Sequence, residues 1–368
     1  MSQMKLKNEK VKRKYIEWLK DAQGYSELTV QAIEKALWKY EEYSREADYG
    51  NFDSKDAQLF KKYLAVAKNP QSGNSLSLTS QYHILRHVNA FFLWLSGQTG
   101  YKSRIKSHDV RYLRLSKEES RVATAPKLPK YPTIEYIKKL CDFNVESEMD
   151  MRDRAMIAFT ALSGMRDRAI ITLPVGCFDE KELVVYQEPA RGVKTKFSKS
   201  ILTVLFRFDT DLLNFVLDWV GYLRKEKLFT DEDPMFPSTE VEIESSISQA
   251  FVAKGIEKVF WKNAGAMRKI FQKRAKEMGL EYFSPHKFRH FAISEAQKYV
   301  YNPEQLKAVS QSVGHQNLST TFFSYGGMAP ERVKDVITGM DFDKKKPKKQ
   351  EMKDQLKDIL SKLDNMED

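Results

Sequence analysis

The sequence has few cysteines, and their placement argues against several classes of site. Only Cys141 and Cys177 occur among 368 residues, without a CxxC pair or a cysteine–histidine cluster. We therefore expect neither a zinc site nor a disulfide framework, and a reducing compartment fits. A Gly-rich phosphate loop and an HExxH sequence are also missing. We expect no metal and no other cofactor.

Long apolar runs are missing as well. The longest, Ala90–Leu95, is far too short to cross a bilayer, and the charged start MSQMKLKNEKVKRKY has no apolar segment typical of a signal peptide. We expect a cytoplasmic protein. What the chain does have is positive charge, with a net charge of +11 and a pI near 9.2. Lysine and arginine occur in every segment, which favours a polyanionic partner.

Helical periodicity dominates residues 1–101 and predicts a bundle of four helices. Ser26 is expected to cap the second helix, and Asp53 or Ser54 the third. The apolar positions of the second helix are Val30, Ile33, Leu37 and Tyr40, and those of the fourth are Leu85, Val88, Phe92 and Leu95. Their other faces carry Gln31, Lys35, Lys39, His83 and Arg86. These faces are either simply solvated or presented to a DNA groove.

Residues 102–131 show no clear apolar period and are rich in cations, Arg111 and Arg114 among them. They end in the proline-rich APKLPKYP, which stops any helix. We interpret them as a basic interdomain linker whose arginines contact DNA, so that two basic domains close as a clamp on a duplex.

A second domain is predicted over residues 132–340. Thr133–Cys141 and Asp150–Gly164 have helical patterns, whereas Glu182–Gln187 and Ile201–Phe208 have the composition of strands joined by a basic turn. Leu212–Leu223 is predicted to be a helix and DEDPMFPS a turn, and the remainder to about Ile337 is predicted to be mostly helical. The fold class is therefore mostly α (α+β), with a small antiparallel sheet.

Residues 341–368 form a basic tail that ends in an amphipathic helix. KKKPKK at Lys344–Lys349 precedes an apolar face of Met352, Leu356, Ile359 and Leu363. This helix either packs on its own domain or docks onto a neighbouring protomer.

Six residues of the second domain could bind and cleave a phosphodiester. His286 and Arg289 are i and i+3 on one predicted helix, where both could reach one oxyanion. His315, Tyr325, Arg166 and the hairpin residue Lys194 each have an ordinary structural explanation when taken alone. Their order and spacing together are specific, and the boxes SGMRDRAIITL, GVKTK, SPHKFRHFAIS and VGHQNLSTTFFSYGG closely resemble the tyrosine recombinase (phage integrase) family.

This resemblance, which covers roughly residues 10–335, implies a helical (SAM-like) core-binding domain followed by a catalytic domain. It implies that Arg166 and Arg289 clamp the scissile phosphate and that His286 and His315 hydrogen-bond to it. Lys194 would protonate the departing 5′ oxygen, and Tyr325 would form a 3′-phosphotyrosine link. His290 is similar to a supporting residue of the second box.

The sequence departs from the family pattern at three points. An acidic residue is usual three places after the first-box arginine, where this chain has Ala169; Asp167 or Asp153 could supply the charge. Lys196 lies close to Lys194 and is an alternative general acid. The interval from His315 to Tyr325 is one residue longer than in Xer-type members and is similar to that of transposon and genomic-island integrases.

The resemblance thus implies a site-specific recombinase that integrates or excises a mobile element through a Holliday junction. It would act as a homotetramer on double-stranded DNA, with an accessory DNA-bending or excision factor as a further possible partner. Two alternatives stay open: a type IB topoisomerase that relaxes supercoils, and a catalytically silent DNA-binding regulator with the same fold.

Overall fold

A computed structural model describes residues 3–69, 73–125, 130–243, 251–300 and 302–315. The chain divides into two compact units, the first from Met1 to Pro126 and the second from Lys127 onward. Each unit has a hydrophobic core of its own. In the described residues, no helix has the length and apolarity needed to cross a membrane.

The first unit is helical. Ser26, Asp53 and Ser77 cap three of its helices by accepting a hydrogen bond from the backbone three residues later, as the residue types lead one to expect. The four predicted apolar positions of the second helix and the four of the fourth are all buried. The helices are α1 (Gln3–Asp21), α2 (Glu27–Ser44), α3 (Ser54–Val66), α4 (Leu78–Ser96), α5 (Ser107–Val110) and α6 (Lys117–Thr124).

The prediction of an interdomain linker over residues 102–131 was wrong for residues 102–125, which fold onto this unit. Val110 and Leu113 are completely buried in its core. Asn89 of α4 donates to the Val110 carbonyl at 2.7 Å, and Thr79 donates to the Ala123 carbonyl at 2.9 Å. The segment lacks a single apolar period because its two short helices are separated by turns, so few buried residues share one helical face. Residues 126–129 lie outside the described part of the chain.

The second unit is built around one buried helix. Every residue from Ala155 to Ser163 is buried, which confirms the predicted buried helix, and four other helices in the described part of the unit pack against it. The helices are α7 (Ile134–Cys141), α8 (Glu148–Ser163), α9 (Asp167–Ile170), α10 (Thr210–Lys225), α11 (Gly265–Glu277), α12 (Pro285–Gln297) and α13 (Pro303–Ser312).

A small antiparallel sheet of order β1-β2-β3 lies beside these helices, as predicted. Val184 pairs with Val204 and Gln187 with Ile201, so the predicted basic turn joins two adjacent strands. Edge strand β3 is held to the end of α13, because the Val204 amide donates to the Ser312 hydroxyl at 3.0 Å. The strands are β1 (Phe178–Asp179), β2 (Val184–Gln187) and β3 (Ile201–Val204).

A second hairpin, formed by β4 (Ser238–Ile243) and β5 (Phe251–Glu257), contradicts the prediction that this region is helical. The last four residues of β4, EVEI, alternate polar and apolar types, which is the period of a strand and could have been recognised. Side chains of α8 anchor the hairpin at both strands. Arg152 donates to the Thr239 hydroxyl of β4 at 2.9 Å, and the Ile256 amide of β5 donates to Glu148 at 2.8 Å.

Candidate active site

Arg289 of α12 joins two of the motif segments from inside the protein. It is 2% exposed, and its two terminal nitrogens donate to the carbonyls of Gly164, at 2.5 Å, and Val313, at 2.7 Å. Gly164 ends α8 two residues before Arg166, and Val313 ends α13 two residues before His315. One buried guanidinium therefore bonds to both turns that precede Arg166 and His315.

Gly164 is required at its position for two reasons. Its φ is +57°, in the left-handed region that favours glycine. A Cβ there would also lie 3.1 Å from the Ala292 Cβ and 3.4 Å from Val313. The end of α8 thus approaches α12 and the turn after α13 closely, which brings the first box against the second.

A cavity of about 600 Å³ collects side chains from three of the predicted motifs. Arg166 lines it from the N-terminus of α9, Lys196 from the hairpin between β2 and β3, and His315 from the turn after α13. Apolar residues of β3, such as Ile201, form part of its wall. Cations and an imidazole beside an apolar wall suit a phosphodiester, whose charge needs donors and whose reaction benefits from a low local polarity.

The two candidate lysines occupy different positions around Arg166. Lys196 shares the cavity with Arg166 and His315. Both lysines also line a neighbouring cavity of about 380 Å³. Of the two cavities, Lys194 lines only this second one. The backbone amide of Lys194 donates a hydrogen bond to the Thr172 hydroxyl at 2.9 Å. Lys196, the alternative, therefore lines the cavity that His315 lines, whereas Lys194, the predicted residue, lines the neighbouring cavity.

The three histidines are held in environments that favour the neutral imidazole. Burial and the nearby guanidinium groups of Arg289 and Arg166 lower the pKa of His315 to about 3. Burial lowers the pKa of His290 to about 4, and the ring of His286 lies 4.8 Å from the His290 ring. The pKa of His286 is also lowered by burial and by Arg289. Near neutral pH, each imidazole can accept one proton and donate another.

The carboxylates proposed to compensate for Ala169 have different partners. Asp153 is buried and is bonded to Arg152 at 2.8 Å and to Arg274 at 2.7 Å. Asp167 pairs with Arg268 of α11 at 2.7 Å, and it directly follows Arg166. Ala169 itself is 1% exposed. Of the two candidates, Asp167 is the one adjacent to the first-box arginine.

The basic residues predicted to contact DNA do not form one set in the first unit. Arg86 and Arg114 line a groove of about 560 Å³ between α4 and α6, with an apolar floor that includes Leu85. Lys35 and Arg111 are exposed elsewhere, and Lys39 pairs with Glu42 at 2.8 Å. Two further groove cations, Lys117 and Arg121, belong to the basic segment 102–131 but were not among the residues predicted to contact DNA, although their i, i+4 spacing within a capped helix could have identified them.

Tyr325 and the predicted tail helix lie outside the described residues. Across the part of the chain that is described, no group of three or more histidine, cysteine, aspartate or glutamate side chains is arranged to hold a metal ion.

Comparison with known proteins agrees with the motif reading. A model of the phage integrase family matches residues 133–331. Tyrosine recombinase XerC of Escherichia coli O157:H7 (strain EC4115 / EHEC) is 24% identical over 313 residues, which cover 84% of this chain and 88% of that protein. XerC of Lactobacillus leichmannii is 21% identical over the same length, covering 84% and 92%.

Two solved structures share the fold. The XerH site-specific recombinase in a post-cleavage complex with a palindromic difH substrate matches with a TM-score of 0.56 and 17% identity, covering 87% of this chain and 82% of that one. A lambda integrase (75-356) dimer bound to a COC′ core site matches with a TM-score of 0.56 and 14% identity, covering 87% and 97%. The likeness extends over both compact units.

Proposed function

The chain belongs to the phage integrase family of tyrosine recombinases, and from that premise we propose that it cleaves and rejoins duplex DNA at a specific site through a covalent link to Tyr325. The observation that carries this proposal is the cavity shared by Arg166, Lys196 and His315, with buried Arg289 fixing the turns on two of its sides. These residues come from four separate segments, so their convergence is a property of the fold.

The chemistry is an exchange of one ester for another. The Tyr325 oxygen attacks the phosphorus, the bond from phosphorus to the 5′ oxygen breaks, and the phenol proton passes to His315 or His286. The departing oxygen takes a proton from a lysine. Rejoining reverses these steps with a 5′ hydroxyl as the nucleophile. The number of phosphoester bonds is unchanged, so the phosphotyrosine conserves the energy that resealing needs.

The guanidinium groups have the largest electrostatic task. The pentavalent transition state carries more negative charge on its oxygens than the diester, and fixed donors stabilise that increase without reorganising. Arg166 lines the cavity directly. Arg289 holds Gly164 and Val313 and so sets the direction of Arg166 and His315.

We propose Lys196 rather than Lys194 as the general acid. A general acid must reach the leaving oxygen of the same phosphate that the arginine and the histidine bind. Lys196 lines the cavity of Arg166 and His315, and its positive charge lowers the pKa of His315. Lys194 meets Arg166 only around the adjacent cavity.

The groove of the first unit would bind DNA phosphates. Arg86, Arg114, Lys117 and Arg121 line it, and none of these four has a carboxylate partner among the described residues. Unpaired cations on a helical surface are available to replace the counterions of a duplex. We assign them the sequence-independent part of DNA binding, together with exposed Lys35 and Arg111.

The biological role that we propose is integration or excision of a mobile element by four protomers, through a Holliday junction. The ten-residue interval from His315 to Tyr325 supports it, because it is similar to that of transposon and genomic-island integrases. Sedimentation of the protein with its selected duplex would test the assembly. A tetramer with two duplexes is expected, and a complex that stays monomeric on one duplex would contradict it.

The test of the reaction begins with selection of a site. A library of nicked duplexes with a randomised centre is incubated with wild type and with Tyr325→Phe, and DNA that stays protein-linked in SDS is sequenced. We expect adducts with wild type alone and an enriched inverted repeat. Adducts without sequence preference, together with relaxation of any supercoiled plasmid, would instead indicate a topoisomerase. Sequence-selective binding without adducts would indicate a regulator.

A further inference from the structure

Helix α11 is fastened to the rest of the second unit by arginines at two places. Near its C-terminus, Arg274 is buried and bonds to Asp150 and Asp153 of α8, at 2.5 and 2.7 Å. Near its N-terminus, Arg268 reaches Asp167, the first residue of α9, at 2.7 Å. The first contact lies inside the core. The second lies beside the candidate active site.

Asp167 is held in one orientation by both of its carboxylate oxygens. Oδ1 accepts a hydrogen bond from the Arg168 amide at 2.9 Å, and Oδ2 accepts from the Arg268 guanidinium. Its side chain is 21% exposed, against 56% for Arg268. This fixed carboxylate directly follows Arg166, which is the N-cap residue of α9.

The surroundings of Arg166 are rich in positive charge. Arg166, Arg289 and Lys196 all act on His315, and Arg289, Lys287 and Arg166 act on His286. Like charges this close repel one another, and without a counter-charge their side chains turn toward solvent. Ala169 contributes no charge, and Asp153 is committed to Arg152 and Arg274.

We propose that the Asp167–Arg268 ion pair is the positioning device that holds Arg166 toward the phosphate, in the place of a carboxylate at position 169. Asp167 supplies the negative charge on the α9 side of the site, and Arg268 prevents that carboxylate from turning onto the Arg166 guanidinium and withdrawing it from the phosphate. Asp167 and Arg268 are positioning residues, and the inference rests on the proposed function.

Asp167 also affects the pKa of His286, and this effect can be measured without any catalysis. Its charge raises the pKa of His286, against burial and against Arg289, Lys287 and Arg166, and the His290 ring packs on the same imidazole. Removing the charge in Asp167→Asn is therefore expected to move the His286 titration to lower pH. Arg268→Gln leaves the carboxylate in place, so the titration is expected to shift much less.

The test uses the full chain with Asp167→Asn, Arg268→Gln and the conservative Asp167→Glu and Arg268→Lys. The matched control is Asp231→Asn, which removes the exposed Arg224–Asp231 pair elsewhere in the same unit. Adduct formation is timed at saturating selected duplex, affinity is measured by gel shift, and His286 is titrated by NMR with His286→Gln for assignment.

We expect adduct formation to slow about tenfold in Asp167→Asn and Arg268→Gln, with affinity within about twofold. The conservative variants should recover most of the rate, and the control should match wild type. An unchanged rate in Asp167→Asn, or a loss explained by a lower unfolding midpoint, would overturn the positioning role. Absence of adducts in wild type would instead contradict the proposed function, and the His286 titration would still report on Asp167.

Discussion

The two cationic regions of this protein are built in opposite ways. In the cavity of the second unit, Arg289 is 2% exposed and bonded to two backbone carbonyls, and His315 is packed beside guanidinium groups. In the groove of the first unit, Arg86 and Arg114 are exposed on their helix and turn. A buried cation is fixed in position at the cost of desolvation, whereas an exposed cation is mobile and is screened by salt. Fixed, buried cations suit the stabilisation of a reacting phosphate, whereas exposed cations suit the electrostatic attraction of DNA.

The largest effect should come from Arg289. Arg289→Ala leaves the Gly164 and Val313 carbonyls without their donor and creates a cavity, which we expect to lower the free energy of unfolding by about 3 kcal/mol. Adduct formation should fall by about 10³-fold or more. Urea unfolding and adduct timing measure the two effects. Arg86→Ala is the matched arginine in the groove and should change stability by less than about 0.5 kcal/mol.

Equal stability losses in the two variants would remove the distinction between a structural cation and a solvated one. A stable but inactive Arg289→Ala would mean that Arg289 acts on the phosphate without organising the two turns.

The next effect separates the lysines of the hairpin. Lys196→Ala should slow adduct formation by about 10²- to 10⁴-fold, the usual contribution of a general acid, whereas Lys194→Ala should change it by less than about threefold. A duplex with sulfur in place of the 5′ oxygen at the cleavage point needs no acid, because a thiolate is a good leaving group. This substrate should restore the rate of Lys196→Ala. The opposite pattern would return the role to Lys194.

The cavity and the groove differ in how much of each could be predicted from the sequence. The motifs of the second unit could be proposed from the sequence because their residue types and intervals are specific, and in the structure Arg166 and His315 line one cavity. The proposal of Lys196 over Lys194 could not be made from the sequence, because it depends on a hairpin tip in which Phe197 and Ser198 have positive φ. Residue spacing carries no information about that turn.

The groove was the harder region to predict. Residues 102–125 were interpreted as a linker from their charge, although Val110 and Leu113 complete the first core. Lys39 was counted among the DNA contacts, but Glu42 lies one helical turn away and pairs with it. A surface cation shows its role only when its neighbours are known, whereas a motif is recognised from the chain itself.

Salt should have a moderate effect on the DNA affinity that the groove cations provide. Each of Arg86→Ala, Arg114→Ala, Lys117→Ala and Arg121→Ala should lower affinity severalfold for all sequences and reduce the slope of log K against log salt by about 1. Lys39→Ala is the control, since that lysine is already paired, and should change the slope less. Fluorescence anisotropy at salt concentrations from about 50 to about 300 mM measures the affinity and its slope. Unchanged slopes would show that the groove does not meet phosphates.

The smallest expected effect is that of acid on the free energy of unfolding, through the buried histidines of the second unit. The pKa of His315 is about 3 when folded, and an ordinary histidine titrates near 6.5, so between these values the unfolded chain binds more protons. The contribution of His315 to the free energy of unfolding is therefore constant above about pH 6.5 and falls as pH decreases below it. His290, with a pKa of about 4, acts in the same direction. Urea unfolding at several pH values measures this.

The difference between wild type and His315→Asn isolates the histidine from the carboxylates that also titrate in acid. The variant should lose less stability between pH 6.5 and 5, and parallel curves would contradict the depressed pKa. The groove offers a contrast, because the cations that line it are arginine and lysine rather than histidine. Salt therefore tests how DNA is attracted, and mild acid tests how the cavity keeps its histidines neutral.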